Sequence, residues 1–215
     1  MTTKQPQRGM RADARLNRRR IVEAARDLIA ERGAEVPTEE VARRAGVGVG
    51  TVYRHFPDRS ALIRGVALDS FERVVEIARA AEDEEADAWS GLSRFVRRAA
   101  TELRLATWLS IWFAGTWAEL REDPENQRLR RVLMRVLDRI VRRAQEEGDL
   151  RPDIDAADLV MVLAALLRPV PGLPVELARQ STDRHLVLML DGLRAGARNS
   201  GLPEQGVTLS EFLEP

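Results

Sequence analysis

The stretch AGVGVGTVYRHF, residues 45–56, sets a glycine at every second position from Gly46 to Gly50 and then runs larger residues together without a break. It reads either as a loop that cradles a nucleotide or as a helix shaped to approach something closely. A dinucleotide-type loop needs a strand before the glycines and a long helix after them. Neither is predicted here. Pro37-Thr38 provides a stop and an N-cap, and Val41, Ala42 and Ala45 then fall on the buried side of a short helix. Beyond the glycines, Val49, Val52 and Phe56 mark one side of a second short helix, which Pro57 ends. Two short helices joined through Gly46-Val47 predict a helix-turn-helix, with glycine at the positive-φ corner and the second helix entering a DNA major groove. Glycine inside a helix costs about 1 kcal/mol relative to alanine, so Gly48 and Gly50 call for a reason. Without side chains they let the first turn of the recognition helix come close to nucleic acid, where backbone N–H groups meet phosphates.

The surrounding segments are helical as well. Ile21, Ala24, Ala25, Leu28 and Ile29 keep the spacing of one helix face, and Gly33 stands where a left-handed C-cap belongs, giving a first helix of about sixteen residues. Asp58 is placed to cap a fourth helix carrying Leu62, Val66, Phe71, Val74 and Ile77. EDEEAD, residues 82–87, reads as a solvated joint. After it, Leu92, Phe95, Val96, Ala99 and Leu103 predict one helix and Trp108, Leu109, Trp112, Phe113 and Trp117 another. From Pro124 to Gly148 the apolar rhythm from Leu129 to Ala144 is unbroken. No segment alternates with period two, so the expected fold class is all-α.

Two late runs lack a polar face: Leu159 to Leu167 after Asp155, and His185 to Leu193 after Asp183. A helix apolar on all sides is buried on more than one side. The first run is too short for a membrane span. Either both are core helices of one protomer, or they complete a four-helix interface with a second copy of the chain. The expected interface residues are Leu159, Val162, Leu163, Leu166, Leu186, Met189, Leu190 and Leu193.

Composition narrows the chemistry. The 215 residues contain no cysteine and two histidines, which removes disulfides, thiolate metal sites and cysteine nucleophiles. No metal or cofactor is predicted. The opening residues lack an apolar leader core, and no run approaches membrane-span length, so a soluble, cytoplasmic protein is expected. The net charge of zero conceals an asymmetry: residues 1–64 hold 14 Lys and Arg against 8 Asp and Glu, and the remainder holds 20 against 26. Seven of the basic residues (Lys4, Arg8, Arg11, Arg15, Arg18, Arg19 and Arg20) precede the first apolar stripe. Such an arm either solubilises the chain or seeks a polyanion.

The run RIVEAARDLIAERGAEVPTEEVARRAGVGVGTVYRHFPDRSAL, residues 20–62, closely resembles the DNA-binding domain of TetR/AcrR-type transcriptional repressors. The resemblance rests on Ile21, Ala25, Leu28, Gly33, Thr38, Val41, Ala42, Ala45, Gly46, Val47, Tyr53, His55, Phe56 and Leu62, in order and without gaps. It implies a homodimer with an N-terminal three-helix DNA-binding domain and a larger C-terminal helical domain for effector binding and dimerisation. The corresponding division is a basic, disordered arm at 1–16, the helix-turn-helix domain at 17–64, the effector and dimerisation domain at 65–200 and a tail at 201–215. It further implies a double-stranded, palindromic DNA operator and release by a small effector, with no membrane partner.

By the same resemblance Thr38, Thr51, Tyr53, His55 and Arg59 lie against DNA; Arg59 replaces the family's usual lysine and keeps its charge. Gly48, Val49, Gly50 and Thr51 form the turn nearest the bases, where a valine and a threonine methyl suit thymine methyls. Tyr53 can donate to a phosphate. His55 either touches a phosphate or caps its helix, and Arg44 and Arg54 either meet phosphates or are simply solvated. Trp108, Trp112, Phe113 and Trp117, with Phe95, either line an apolar effector pocket or pack a core, since both uses want the same residues. The arginines between Arg128 and Arg143 read as a solvated face. A DNA-binding protein without an effector is the alternative function. A helical enzyme lacks a convergent set of titratable groups in the C-terminal part.

Overall fold

The computed structural model describes residues 6–33, 35–168, 170, 172, 175–196 and 200–202. Among them are nine helices: α1 (Pro6–Arg32), α2 (Thr38–Ala45), α3 (Val49–His55), α4 (Arg59–Glu84), α5 (Ala88–Trp112), α6 (Ala114–Glu122), α7 (Pro124–Glu146), α8 (Ala156–Leu166) and α9 (Val175–Leu193). The all-α class stands. Pairing outside helices is limited, among these residues, to one isolated bridge between Leu150 and Arg194, which ties the end of α7 to the end of α9. No described helix is long and apolar enough to cross a membrane.

The punctuation read from the sequence largely holds. Gly33, Gly46 and Gly148 adopt φ of 89°, 68° and 81° just past the ends of α1, α2 and α7. Asp58 accepts from the Ala61 N–H to cap α4, and Asp155 closes a capping box with Asp158 on α8. Three boundaries differ. Pro37 holds the N-cap position of α2 without a side-chain bond, so Thr38 is the first helical residue rather than the cap. Asp183 lies inside α9, not before it. The arm expected to be disordered through residue 16 is helical from Pro6, and residues 1–5 lie outside the described residues. Proline suits a first helical position, and the Arg, Ala, Met and Gln residues after it propagate a helix already nucleated by the Ile21 stripe. Of the expected tail, residues 203–215 lie outside the described residues.

Two apolar clusters organise the chain. One gathers Ile21, Leu28, Val41, Val52, Phe56 and Val66 of α1–α4, and it continues into Leu105 and Leu109 of α5 and Leu120 of α6. The other packs the far half of α4 against α5, α7, α8 and α9 through residues such as Val74, Leu92, Phe95, Leu137, Leu163 and Leu190. The helix-turn-helix is therefore cored partly by the larger domain. Helix α4 belongs to both clusters, and α5 meets it closely because Gly91 has no side chain: a Cβ there would lie 2.7 Å from the Ala81 carbonyl oxygen.

A sequence expectation about α5 fails instructively. Leu92–Leu103 and Trp108–Trp112 form one continuous helix, and the break falls at Phe113, with φ −125° and ψ 50°. Of the aromatic residues Trp108, Trp112, Phe113 and Trp117, the first two thus lie on α5, Phe113 at the break and Trp117 on α6.

Candidate nucleic-acid interface and ligand cavity

Helices α2 and α3 meet through a turn in which the Val47 N–H donates to the Ala42 carbonyl and the Gly46 N–H to that of Arg43. Val41, Ala42, Ala45 and Val52 face inward. Burying that face leaves Gly48, Gly50, Tyr53 and Arg54 exposed, with Val49, Thr51 and His55 half-buried along the same edge. Tyr53 is 50% exposed, a large aromatic side chain that the protomer's core does not use. Around Gly48 and Gly50 nothing lies within 4 Å of where a Cβ would stand, and neither takes a positive φ. The protomer itself gives no steric reason for either glycine.

The arginines of this face are already engaged. Arg54 donates to Thr51 Oγ1 at 2.9 Å and to the Gly50 carbonyl at 3.4 Å, bridging the start of α3 to its end. Arg44 makes a two-pronged pair with Glu31 of α1, at 3.2 and 2.9 Å. That hydrogen bond holds the Glu31 carboxyl below its ordinary pKa. Arg59 donates to the Val36 carbonyl at 3.4 Å and lies 5.6 Å over the Phe113 ring, toward the larger domain. Thr38 is half-buried at the start of α2. On α1, Arg15, Arg18, Arg19 and Arg20 are exposed, and Arg18 lies 5.0 Å over the Phe56 ring.

A cavity of about 560 Å³ opens between α4, α5, α6, α7 and α8. This is the size range of small-molecule pockets. Of the residues expected there, Phe95 and Trp117 line it, and Trp108, Trp112 and Phe113 do not. Trp108 faces α1 beside Arg26 and Glu102, whereas Trp112 and Phe113 face Val36, Pro37 and Arg59. Trp108 and Trp112 stack edge to face on the side of α5 away from Leu103 and Ser110, whereas Trp117, beyond the bend on α6, packs against Phe71 of α4. The remaining wall comes from residues that the sequence did not assign to a pocket, among them Leu103, Thr107, Asn126, Arg130 and Met134. Arg130 corrects the solvated-face reading for that residue, since it is half-buried. Its signal was the spacing Asn126, Arg130, Met134, which places all three on one side of α7.

The expected dimer residues divide by helix face. Leu159, Leu163, Leu186 and Leu190 are buried inside the protomer, which corrects their assignment to the interface. Leu166, Met189 and Leu193 are half-buried. Val162 is exposed, together with Met161, Val187 and Leu188, leaving an apolar outer face on α8 and α9. Leu188 is 66% exposed.

Three carboxylates, Asp87, Glu147 and Asp149, lie close enough together to suggest a cation. Each has work within the fold: Asp87 caps α5 at Ser90, Glu147 accepts from the Ala88 N–H, and Asp149 pairs with Arg194.

Residues 21–66 match the model of the bacterial regulatory proteins, tetR family, and residues 87–195 that of the transcriptional regulator SbtR-like C-terminal domain. A TetR transcription regulatory protein from Mycobacterium vanbaalenii is 32% identical, with a TM-score of 0.63 over 86% of this chain and 99% of that one. A TetR transcriptional regulator from Streptomyces coelicolor is 28% identical, with a TM-score of 0.65 over 84% and 99% of the two chains. A HTH-type transcriptional regulator from Staphylococcus aureus (strain USA300) is 48% identical over 54 residues, 25% of this chain and 29% of that protein. The chain thus spans less than a third of the length of the curated relatives it matches.

Proposed function

Because the chain belongs to the TetR family of bacterial DNA-binding transcriptional regulators, we propose that it is a cytoplasmic homodimeric repressor released from a palindromic operator by a small molecule. Two recognition helices, held by the dimer, would enter successive major grooves about 34–36 Å apart. Gly48 to Thr51 would seat at the bases, with Tyr53 and His55 on the flanking phosphates. Thr38 would meet a phosphate from the start of α2, and Arg44, Arg54 and Arg59 would do so only after exchanging their present partners. The apolar outer face of α8 and α9 would pair with its copy, as a two-fold interface requires.

The observation that carries ligand release is the position of α6. On one side Trp117 and Arg121 form part of the cavity wall. On the other, Arg64 of α4 pairs with Glu119 at 2.7 Å, Thr116 donates to Ser60 at 3.1 Å, and Arg59 covers Phe113 at the α5–α6 bend. Those α4 residues follow directly on the recognition helix. A ligand that prefers a displaced α6 would move the start of α4 and with it α3, shifting the population away from the spacing that DNA requires.

The test is fluorescence anisotropy of the purified protein with DNA flanking its own gene, against scrambled DNA, across a salt series. A preference of ~10³ or more for the flanking fragment is expected of a specific regulator. Equal, steeply salt-dependent binding to both would favour a protein that coats or shapes DNA without an effector. No binding at low salt would end the proposal.

A further inference from the structure

The cavity wall also bears on the charge of the molecule that fills it, on the premise that this cavity receives the effector. Much of the lining is apolar, with Phe71, Phe95, Leu103 and Met134. Among the described residues it also includes three guanidinium groups, Arg121 from α6, Arg130 from α7 and Arg168 beyond α8, and no acidic side chain. One turn before Arg130 on α7, Asn126 is only 2% exposed, lines the same cavity, and has its Oδ1 without a hydrogen-bond partner. A buried polar atom left in this way is costly unless something completes it.

Burial, and after it the like charge of Arg121, hold the Arg130 guanidinium below the ordinary arginine pKa, although arginine stays charged. The like charges of Arg121 and Arg130 repel each other across this wall, and an anion between them offsets that repulsion. A planar fork of donors also matches carboxylate and phosphate oxygens geometrically. We infer that the effector is an amphipathic anion, its hydrocarbon body against the apolar wall and its carboxylate or phosphate head between Arg121 and Arg130. Asn126 Oδ1 supplies an acceptor for a hydroxyl or N–H carried near that head, or for the water that hydrates it. Arg121 lies on α6, so a head bound there pulls on the helix that touches α4.

Four probes sharing one tail separate charge from hydrophobicity: dodecanoate, dodecyl phosphate, dodecanol and dodecyltrimethylammonium. Binding to the full chain is measured by calorimetry below micelle-forming concentrations. At least one anion is expected to bind ~10-fold or more tighter than the alcohol, with the cation weakest. Which anion leads distinguishes a carboxylate head from a phosphate. In an R121Q/R130Q variant the preference should fall to within about 3-fold while dodecanol affinity is retained, which reports an intact cavity. R131Q, at an exposed position of the same helix, should keep it. Alcohol or cation binding as tight as both anions, survival of the preference in the double variant, or binding of none of the four would overturn the inference. Operator binding measured on the same preparations separates the two readings. A protein that binds its operator but shows no anion preference loses this inference alone. One that prefers anions but binds no DNA loses the regulator proposal and keeps the head-group chemistry.

Discussion

Gly50 occupies the second helical position of α3, in ordinary backbone space, with nothing within 4 Å of where an alanine methyl would stand. Stability alone would favour alanine there by about 1 kcal/mol, because glycine loses more backbone freedom on folding. A sequence that forgoes this gain has another use for the space, and close approach to DNA is the use the exposed face offers. Gly50→Ala is therefore expected to raise stability by about 0.5–1 kcal/mol, seen as a higher Tm, while weakening operator binding by roughly tenfold. The opposite directions are the informative part. If affinity survives alongside the gain in Tm, the N-terminal turn of α3 does not seat against the bases. Arg54 next to it acts differently: in the unbound protein it satisfies Thr51, so any phosphate it meets must compete with an existing 2.9 Å hydrogen bond.

At the scale of elements, α8 and α9 show both what patterning reveals and where it stops. Their all-round apolarity in the sequence predicted burial on two sides, and one side is indeed buried, through Leu159, Leu163, Leu186 and Leu190. Periodicity does not say which stripe of such a helix faces its own core, since every stripe is apolar; packing of α5 and α7 against the leucines decides it. The remaining stripe, with Val162, Val187 and Leu188, is the surface proposed for the partner copy. Leu188→Glu changes only that surface, so the protomer should keep its helical content and lose its dimer. Light scattering after size-exclusion chromatography should then give about half the wild-type mass, and operator affinity should fall because two half-sites are no longer read together. A dimer that persists would move the interface elsewhere. The same limit explains the cavity. Gly33, Gly46, Gly148, Asp58 and Asp155 announced their helix ends because each has a local physical role, whereas the α5–α6 bend at Phe113 carries no proline and no side-chain cap at the break. Trp108 and Trp112 precede the bend and lie on the stripe of α5 turned away from Leu103, Ala106 and Ser110, so grouping them with Trp117 by residue type alone sends them to the wrong side, while Arg130 was hidden because a charged residue on an amphipathic helix usually faces water.

In the whole molecule, ligand and DNA sites communicate only if something joins them without making them one rigid block. In the proposed mechanism the shared core through Leu105, Leu109 and Leu120 would supply the rigidity, and the α4–α6 contacts the adjustable links. An exposed ion pair such as Arg64–Glu119 contributes about 0–1 kcal/mol, and a cation over the half-buried Phe113 ring about 0.5–2 kcal/mol. Neither is large enough for its loss to unfold the protein. Yet coupling free energies between sites are themselves only about 1–3 kcal/mol, so removing both contacts is a change of comparable size. A Phe113→Leu/Glu119→Gln variant keeps the apolar volume at the bend and deletes the ring face and the carboxylate charge. Its operator affinity without ligand should stay within about 3-fold of wild type, and its affinity for the preferred anion should change little. What should fall, by about fivefold or more, is the factor by which saturating anion weakens DNA binding. Reciprocity makes the measurement self-checking, because the factor by which operator DNA weakens anion binding must fall equally. If ligand release keeps its full strength in both directions, the signal passes through the shared core, and α6 is a wall of the cavity without being its lever.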